Sequence, residues 1–250
     1  MNTLLLSRKD VKQLLSMELA IESVKDAYKM FYHKQIEQPP IMSIDIKKHR
    51  GEMDIKSCYS LDNETISVKI ASGYWNNPKN YSLPTMIAQI VIFDGKSGYP
   101  LCIMDGSLIT GYRTGAAGGL SASLLARKSS KSIGVIGAGT QARMQVLAIK
   151  SVLDIEDVYV YSKDESQLKK YKEDIESSTD IHVHICYNAE DAVRRKDIII
   201  TTTPSTKAIV KKDWITNGMH IIAVGADMAG KQELESDIFK DARIFVDSKA

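Results

Sequence analysis

Cysteine and long apolar runs are scarce in this chain, and each shortage argues against a class of protein. The three cysteines, Cys58, Cys102 and Cys186, lie far apart without a CxxC pair, so we expect reduced thiols and no disulfide framework. No apolar stretch approaches the ~20 residues of a membrane span. The apolar run near the N-terminus is too short for a signal peptide, and charged residues follow it at once. These shortages predict a cytoplasmic protein without a membrane partner.

An excess of one charge is also lacking. The 33 basic and 31 acidic residues nearly balance, at +2, so no nucleic-acid partner is expected. No metal site is predicted, because His182 and His184 alternate along one candidate strand without a third ligand. The chain has 250 residues, 44% of them hydrophobic, which fits one large globular domain or two modest ones.

The first half combines helices with short strands. Ser7 and Asp10 have the spacing of a capping box. The next segment predicts a helix with one apolar face, made of Ala20, Ile21, Val24, Ala27, Tyr28 and Phe31. Alternating residues then predict strands within 41–47, 53–61, 65–73, 85–95 and 99–106, the last two joined by a hairpin at Gly95–Gly98. This pattern predicts an α+β domain over residues 1–112.

The second half, residues 113–250, alternates strands with helices, which predicts an α/β fold with a doubly wound parallel sheet. Candidate strands are 132–137, 158–161, 181–187, 197–203, 219–225 and 243–248. One helix is predicted from Thr140 to Leu153, and another begins where Asp164 and Gln167 have capping-box spacing.

A glycine-rich segment, residues 107–128, lies between the halves. It has helical character, although each glycine costs up to about 1 kcal/mol relative to alanine in a helix. Such a cost is tolerable where another backbone or a ligand approaches closely. We interpret the segment as the join between the domains; the alternative is a loop followed by a shorter helix.

The stretch VIGAGTQA, residues 135–142, predicts a dinucleotide site. Gly137, Gly139 and Ala142 form the G-x-G-x-x-A pattern after a strand and at the start of a helix, as in Rossmann domains. The N–H groups and dipole of that helix favour a pyrophosphate. Thr140 and Gln141 belong to the same turn, and Thr202 and Thr203 follow a later strand and are predicted beside the cofactor.

The end of the second strand of this domain bears on the choice of cofactor. An acid at this position accepts from the ribose 2′-hydroxyl of NAD, whereas a neutral or basic site holds the 2′-phosphate of NADP. Ser162 occupies the position and Lys163 follows, so NADP is preferred, with NAD as the alternative. In a shifted reading Asp164 is the acid, but its spacing to Gln167 suits a helix cap better.

Several long stretches are similar to motifs of a known family. They are VKIASGYWNNPKNYSLPTMIA, GYRTGAAGGLSASLLARK, IGVIGAGTQARMQ, TTTPSTKAIV and HIIAVGADMAGKQEL. Together they resemble the ornithine cyclodeaminase/mu-crystallin family, especially its archaeal alanine dehydrogenase-like members. The resemblance implies a substrate-binding and dimerisation domain followed by a Rossmann domain, in a homodimer. It also implies hydride transfer at C2 of α-amino or α-imino acids with a nicotinamide cofactor.

The resemblance also implies site residues. Lys69 and Arg113 match cations that bind the substrate carboxylate, and Asp227 matches an acid that engages the substrate amine or the attacking water. We count Lys69 and Asp227 as catalytic, and we place Arg113 and Thr114 beside the cofactor as well. Asp227 follows the fifth strand, where open α/β sheets bind ligands, and no neighbour in the loop is assigned to its charge.

Two features depart from the family pattern. Asp54 stands where the family carries an arginine, and Lys56-Ser57 replace a Met-Pro pair. Either Lys56 supplies the missing positive charge or the pocket accepts a different substrate; Asp54 favours a cationic group in one interpretation and faces solvent in a loop in another. Family chains also continue for some tens of residues beyond a segment like DARIFVDSKA, with an FDSTG-like motif, so we expect a truncated sequence, a fragment or the product of a degenerate gene.

The leading hypothesis is an NAD(P)-dependent oxidoreductase that interconverts small α-imino or 2-oxo acids and α-amino acids, of alanine dehydrogenase or ketimine reductase type. One alternative is a cyclodeaminating lyase that uses bound NAD and forms proline from ornithine. Another is a non-catalytic NADPH-dependent binding protein.

Overall fold

The computed structural model describes residues 2–247. The chain divides into two compact units, Met1–Arg113 and Thr114–Ala250. Among the described residues, no helix is both long and apolar enough to cross a lipid bilayer.

The first unit contains a mixed sheet of seven strands. They are β1 Leu4–Leu6, β2 Ile36–Glu37, β3 Met42–Ile46, β4 Gly51–Ser60, β5 Thr65–Tyr74, β6 Met86–Asp94 and β7 Pro100–Asp105. The order is β1-β7-β6-β5-β4-β2, with β3 also on β4, and among the described strands of this sheet only β1 and β7 pair in parallel. The helices of this unit are α1 Arg8–Leu14, α2 Met17–Tyr32 and α3 Asn77–Tyr81. The predicted α+β architecture is confirmed.

In the first unit, the predicted helix cap, strands and hairpin are present. The Ser7–Asp10 capping box is present at the start of α1, and all five predicted strands form as β3 to β7. At the hairpin, the Asp94 carboxylate accepts from the backbone N–H groups of Lys96 and Ser97. The short strands β1 and β2 were missed, because two or three residues carry too little alternation to be recognised.

The predicted apolar face of α2 is only partly buried. Ala20 and Ile21 lie in the core, whereas Phe31 is 49% exposed. Helical periodicity identifies which side chains share a face, but it does not specify how far along the helix that face is covered.

Up to residue 247, the second unit is built on five parallel strands. They are β8 Ser132–Ile136, β9 Asp157–Tyr161, β10 His182–Ile185, β11 Ile198–Thr201 and β12 His220–Ala223, in the order β10-β9-β8-β11-β12. The helices are α4 Gly106–Leu125, which begins in the first unit, then α5 Thr140–Lys150, α6 Ser166–Ser178, α7 Ala189–Val193 and α8 Ile238–Asp241. Fully buried Ile133, Val135, Val158 and Ile198 belong to the core. The predicted Rossmann-type sheet is confirmed, and α5 ends three residues earlier than predicted.

The sixth predicted strand is wrong over its described part. Residues 243–247 form no strand, and Ser248 lies outside the described residues. Ile244, Phe245 and Val246 are 58%, 58% and 64% exposed, without a neighbouring strand. A β-prone sequence becomes a strand only when another strand pairs with it.

The glycine-rich segment is one continuous helix, α4, and not a loop with a shorter helix. A Cβ at Gly115 would lie 2.7 Å from the Met144 carbonyl oxygen, and one at Gly119 would lie 2.8 Å from the Ala148 carbonyl oxygen. These glycines therefore let α4 approach the backbone of α5, which offsets their cost in helix propensity.

Candidate active site

The glycine turn after β8 has the conformation that a dinucleotide site needs. Gly137 has a φ of +106°, and its N–H donates to the Tyr161 carbonyl at 2.8 Å. Gly139 is the N-cap of α5 and makes no side-chain cap, while Ala142 is fully buried against the sheet. The positive φ explains the first glycine, and the close packing of α5 explains the small third residue.

Two observations show that the turn fits a dinucleotide. A Cβ added at Gly139 would meet no atom within 4 Å, so the space beside this residue, at the N-terminus of α5, has room for a phosphate. The side-chain oxygen of Gln141 is buried without a hydrogen-bond partner among residues 2–247. That oxygen accepts hydrogen bonds, and ribose hydroxyls or a carboxamide can supply the donor. These residues are suited to hold a nicotinamide cofactor.

The predicted threonines lie at the same edge of the sheet as the glycine turn. In the register of the sheet, Thr201 at the end of β11 pairs with Ile136 at the end of β8. Thr202 follows, and its backbone N–H donates to the Ile136 carbonyl at 2.9 Å. A Cβ at Gly137 would lie 2.8 Å from the Thr202 hydroxyl, so this threonine borders the turn directly. Thr114 contributes its carbonyl, which accepts from Nε2 of the buried Gln145.

Glu233 is a buried carboxylate that sequence reasoning missed. It is 1% exposed and accepts from the Thr201 hydroxyl, from the N–H and hydroxyl of Thr203, and from the Gly225 N–H. It therefore links the ends of β11 and β12. Glutamate is usually exposed, and Glu233 is 30 positions from Thr203, so no local pattern indicated this role.

The residues after β9 include one acid that belongs to the turn before α6 and one lysine that is exposed. Asp164 accepts from the N–H and hydroxyl of Ser166 and from Nε2 of Gln167, and these bonds lower its pKa. This is a turn at the start of α6 and not the predicted capping box, because the Gln167 side chain donates to the carboxylate. Asp164 is thus engaged in its own turn, while Lys163 is exposed.

In the first unit, three cations and one acid form a cluster, which we call the cationic cluster: Asp54, Lys56, Lys69 and Arg113. Lys56 on β4 stands directly opposite Lys69 on β5. Lys56 pairs with Asp54 at 3.4 Å, and the Ser43 hydroxyl donates to the other Asp54 oxygen at 2.7 Å. Asp54 therefore lies in a strand and is engaged, which excludes the drifted solvent-facing loop considered from sequence.

Lys69 is the unusual member of the cationic cluster. It is half-buried, and burial together with Arg113 and Lys56 lowers its pKa to about 8. Neither Lys69 nor the exposed Arg113 has a hydrogen-bond or ion-pair partner within residues 2–247. A half-buried ammonium without a partner is costly, and an anion that binds both cations removes that cost.

Asp227 differs from its predicted surroundings. It follows β12 as expected, but it is 66% exposed and pairs with Lys231 at 2.6 Å in the same loop. The expectation that no side chain of this loop answers its charge is therefore wrong. The chain turns between the two residues, and this turn brings an acid and a lysine four positions apart into contact.

Comparisons with known proteins identify the family of this chain. A sequence model of the ornithine cyclodeaminase/mu-crystallin family matches residues 1–250. The chain belongs to the ornithine cyclodeaminase/mu-crystallin family. The resemblance seen in the sequence motifs is thereby confirmed.

Individual members of this family match over nearly the whole chain. Alanine dehydrogenase of Archaeoglobus fulgidus is 36% identical over 247 residues, which are 99% of this chain and 74% of that protein. The structure of Thermococcus litoralis Δ1-pyrroline-2-carboxylate reductase with NADH and L-proline has a TM-score of 0.91 and 38% identity, over 96% of this chain and 74% of that one. An archaeal alanine dehydrogenase dimer with bound NAD has a TM-score of 0.90 and 37% identity, over 97% of this chain and 73% of that one.

Proposed function

We propose that this protein is an NAD(P)-dependent oxidoreductase that interconverts small α-imino or 2-oxo acids and α-amino acids by hydride transfer at C2. The observation that carries the proposal is that Lys69 and Arg113 have no hydrogen-bond or ion-pair partner within residues 2–247, which suits them to a carboxylate. The open glycine turn at Gly139 supports the cofactor. Relatives of 36–38% identity are an alanine dehydrogenase and a pyrroline-2-carboxylate reductase, which belong to this reaction class.

The proposal gives each unit a part of the chemistry. Residues 1–112 bind the substrate and mediate dimerisation, and residues 113–250 bind the cofactor. Lys69 and Arg113 hold the α-carboxylate, Arg113 as a planar fork and Lys69 as a point charge, which orients C2 for the reaction. A bound nicotinamide supplies or accepts the hydride at C2.

A proton must move when the C=N bond is reduced, since the nitrogen gains one proton while C2 gains the hydride. We assign this proton exchange to Asp227, the acid in the loop after β12. Its pairing with Lys231 means that the carboxylate has to leave this lysine when it engages the substrate nitrogen.

For the cofactor, we propose a preference for NADP over NAD. Ser162 and Lys163 follow β9, where they suit a 2′-phosphate, and the acid nearest to them, Asp164, is engaged by Ser166 and Gln167. Gly137, Gly139, Thr140, Gln141, Ala142, Thr202 and Thr203 complete the proposed site, with Thr114 and Arg113 beside it. Tighter binding of NADH than of NADPH in a fluorescence titration would contradict the preference.

The reaction is tested by following NADPH and NADH absorbance with a panel of 2-oxo acids plus ammonia, and with a cyclic imine such as pyrroline-2-carboxylate. We expect cofactor oxidation that Asp227→Asn lowers by about a hundredfold or more, in the range of lost general acid–base catalysis. Asp237→Asn is the matched control, because Asp237 is also an exposed acid paired with a nearby lysine.

Two outcomes would replace the proposal. Conversion of ornithine with NAD to proline and ammonia, without net change in the cofactor, would indicate a cyclodeaminating lyase. Tight NADPH binding without turnover of any substrate would indicate a binding protein.

We also propose that the protein is a cytoplasmic homodimer. Its three cysteines are all free thiols, which suits a reducing compartment. One relative is described as a dimer, and the exposed apolar end of α2 gives the first unit a surface that a second copy can cover.

A further inference from the structure

The cationic cluster holds more positive charge than one carboxylate requires. The charges that act on Lys69 are those of Arg113 and Lys56, which lower its pKa, and that of Asp54, which opposes them. Counting Lys69 itself, three cations face one acid. An α-carboxylate bound by Lys69 and Arg113 would leave one positive charge uncompensated in a half-buried region.

The hydrogen bonds of Asp54 decide which kind of group this region attracts. Its Oδ1 accepts from Ser43 and its Oδ2 pairs with Lys56, and these contacts lower its pKa, so it stays ionised and engaged. Asp54 is therefore poorly placed to recruit a cationic group from a substrate. It neutralises and holds the side chain that carries the neighbouring charge.

Lys56, unlike Asp54, keeps hydrogen-bonding groups that can bind a ligand. Its ammonium group carries three donors, and only the pairing with Asp54 engages it within the described part of the chain. Its side chain is 37% exposed, and it stands beside Lys69 in the register of β4 and β5. Cross-strand neighbours on one face have Cβ atoms about 5 Å apart, so a short substrate can contact both lysines.

Two side chains in the row next to Lys56 and Lys69, on the same face of the sheet, are small enough to leave room for a substrate. Asp54 lies opposite Ala71, and Ala71 lies opposite Ala88, so small side chains continue the same face of the sheet. A substrate side chain that lies across Lys69 and Lys56 therefore has two alanines in the row beside it, whereas Ile90 continues the row of the two lysines.

We propose that Lys56 binds a second carboxylate of the substrate, so that the preferred substrates are 2-oxo or imino dicarboxylic acids and the products are acidic amino acids. The inference rests on the proposed function and names its substrate class. Asp54 is the positioning residue that holds Lys56 at the subsite.

The test compares oxidation of L-aspartate and L-glutamate with oxidation of L-alanine and L-proline, using NAD and NADP and following absorbance of the reduced cofactor. We expect kcat/KM for one acidic amino acid to exceed that for alanine and proline by about tenfold or more, as for one charge-assisted contact. Lys56→Met should reduce this ratio by about tenfold, mainly through KM of the acidic substrate.

Two further variants make the result specific. Lys56→Arg keeps the charge and should preserve most of the preference. Lys96→Met removes an exposed lysine that pairs with Glu64 and should leave the ratio unchanged.

A preference for alanine or proline would overturn the inference, and so would an equal effect of Lys56→Met on both substrate classes. In those cases the oxidoreductase function stands and Lys56 serves the α-carboxylate alone. If none of the four amino acids is oxidised and no 2-oxo or imino acid is reduced, the proposed function itself fails, and the substrate class fails with it.

Discussion

At the scale of single residues, Lys69 shows how burial and neighbours create a binding group. Desolvation and the charges of Arg113 and Lys56 lower its pKa to about 8, from 10.5. A bound carboxylate has the opposite effect, since it favours the protonated amine. The same positive charge that is costly in the free protein thus becomes favourable when the ligand is present.

This pKa predicts how carboxylate binding depends on pH. As pH rises through about 8, Lys69 in the free protein loses its proton, and one of the two cations for the carboxylate disappears. The inhibition constant of an unreactive carboxylic acid should therefore be constant below this pH and increase above it. Measuring the constant from about pH 6 to about pH 10 avoids the titration of a substrate amine.

Lys69→Arg is the matched variant for the pH experiment. Arginine stays protonated over the whole range, so the rise above pH 8 should disappear. A wild-type inhibition constant that stays flat to about pH 10 would show that Lys69 keeps its proton or does not bind the carboxylate.

Asp227 has a contact that its residue type and position in the sequence did not predict. Its position after a parallel strand was apparent from sequence, but its pairing with Lys231 was not. Contacts inside an irregular loop depend on backbone turns that have no periodic pattern, so residue type and spacing alone did not reveal this ion pair.

At the scale of elements, the sheet edge of the second unit depends on Glu233. Its carboxylate accepts from four donors on Thr201, Thr203 and Gly225, and no cation compensates it among these contacts. Neutral N–H and O–H groups can hold a buried carboxylate in this way when all its acceptor positions are used. The loops that follow β11 and β12 are therefore joined through one side chain.

Replacing Glu233 by glutamine should destabilise the second unit. The amide keeps one accepting oxygen, but its NH2 group faces donors, which leaves buried N–H or O–H groups unsatisfied. Each such group costs about 1–3 kcal/mol, so the free energy of unfolding should fall by about 2–5 kcal/mol in a urea titration. Because Thr203 and Thr202 adjoin the glycine turn, affinity for NADPH should also decrease.

Glu235→Gln serves as the control for this change. Glu235 is two positions away and accepts one bond, from the Lys212 N–H at 2.7 Å, which an amide oxygen can still accept. The control should therefore lose less than about 1 kcal/mol. Equal losses in both variants would show that the network around Glu233 has no special role.

Helix α4 is stable despite its glycines because of its contacts with a second helix. Its composition left a loop or a helix open, and the contacts of Gly115 and Gly119 with the α5 backbone explain why the helix persists. The cost of glycine is set by the isolated helix, whereas its benefit depends on a second helix at close distance.

At the scale of the whole molecule, the exposed apolar end of α2 predicts self-association. Phe31 and Tyr32 are 49% and 81% exposed in the single chain, although Phe31 belongs to the predicted apolar face. Light scattering coupled to size exclusion should give the mass of two chains. Phe31→Lys with Tyr32→Lys should shift the protein to one chain, because paired lysines on this face oppose burial.

The control for the dimer is a double substitution on exposed polar positions of the same helix, Glu22→Lys with Asp26→Lys, which adds charge without touching the apolar residues. This variant should keep the mass of two chains. A wild-type protein with the mass of one chain at micromolar concentration would contradict the homodimer.

Much of this molecule followed from the sequence alone. The first five strands of the alternating half, the glycine turn at residues 137–142, the hairpin at residues 95–98 and the Ser7 cap are local features, and each forms as predicted. Periodicity and turn chemistry act over a few residues, so a single chain carries them without knowledge of its partners. The family motifs are similarly continuous and were recognised directly.

Only the tertiary structure decided which distant residues meet. It placed Lys56 opposite Lys69, engaged Asp54 with Ser43, and buried Glu233 beneath two strand ends. It also left residues 243–247 without a strand, although their composition favours one. Such outcomes depend on strand register and on pairing between segments far apart in the chain. The free-energy cost of an unpaired charge or strand edge depends on the same pairing, so it cannot be read from the sequence alone.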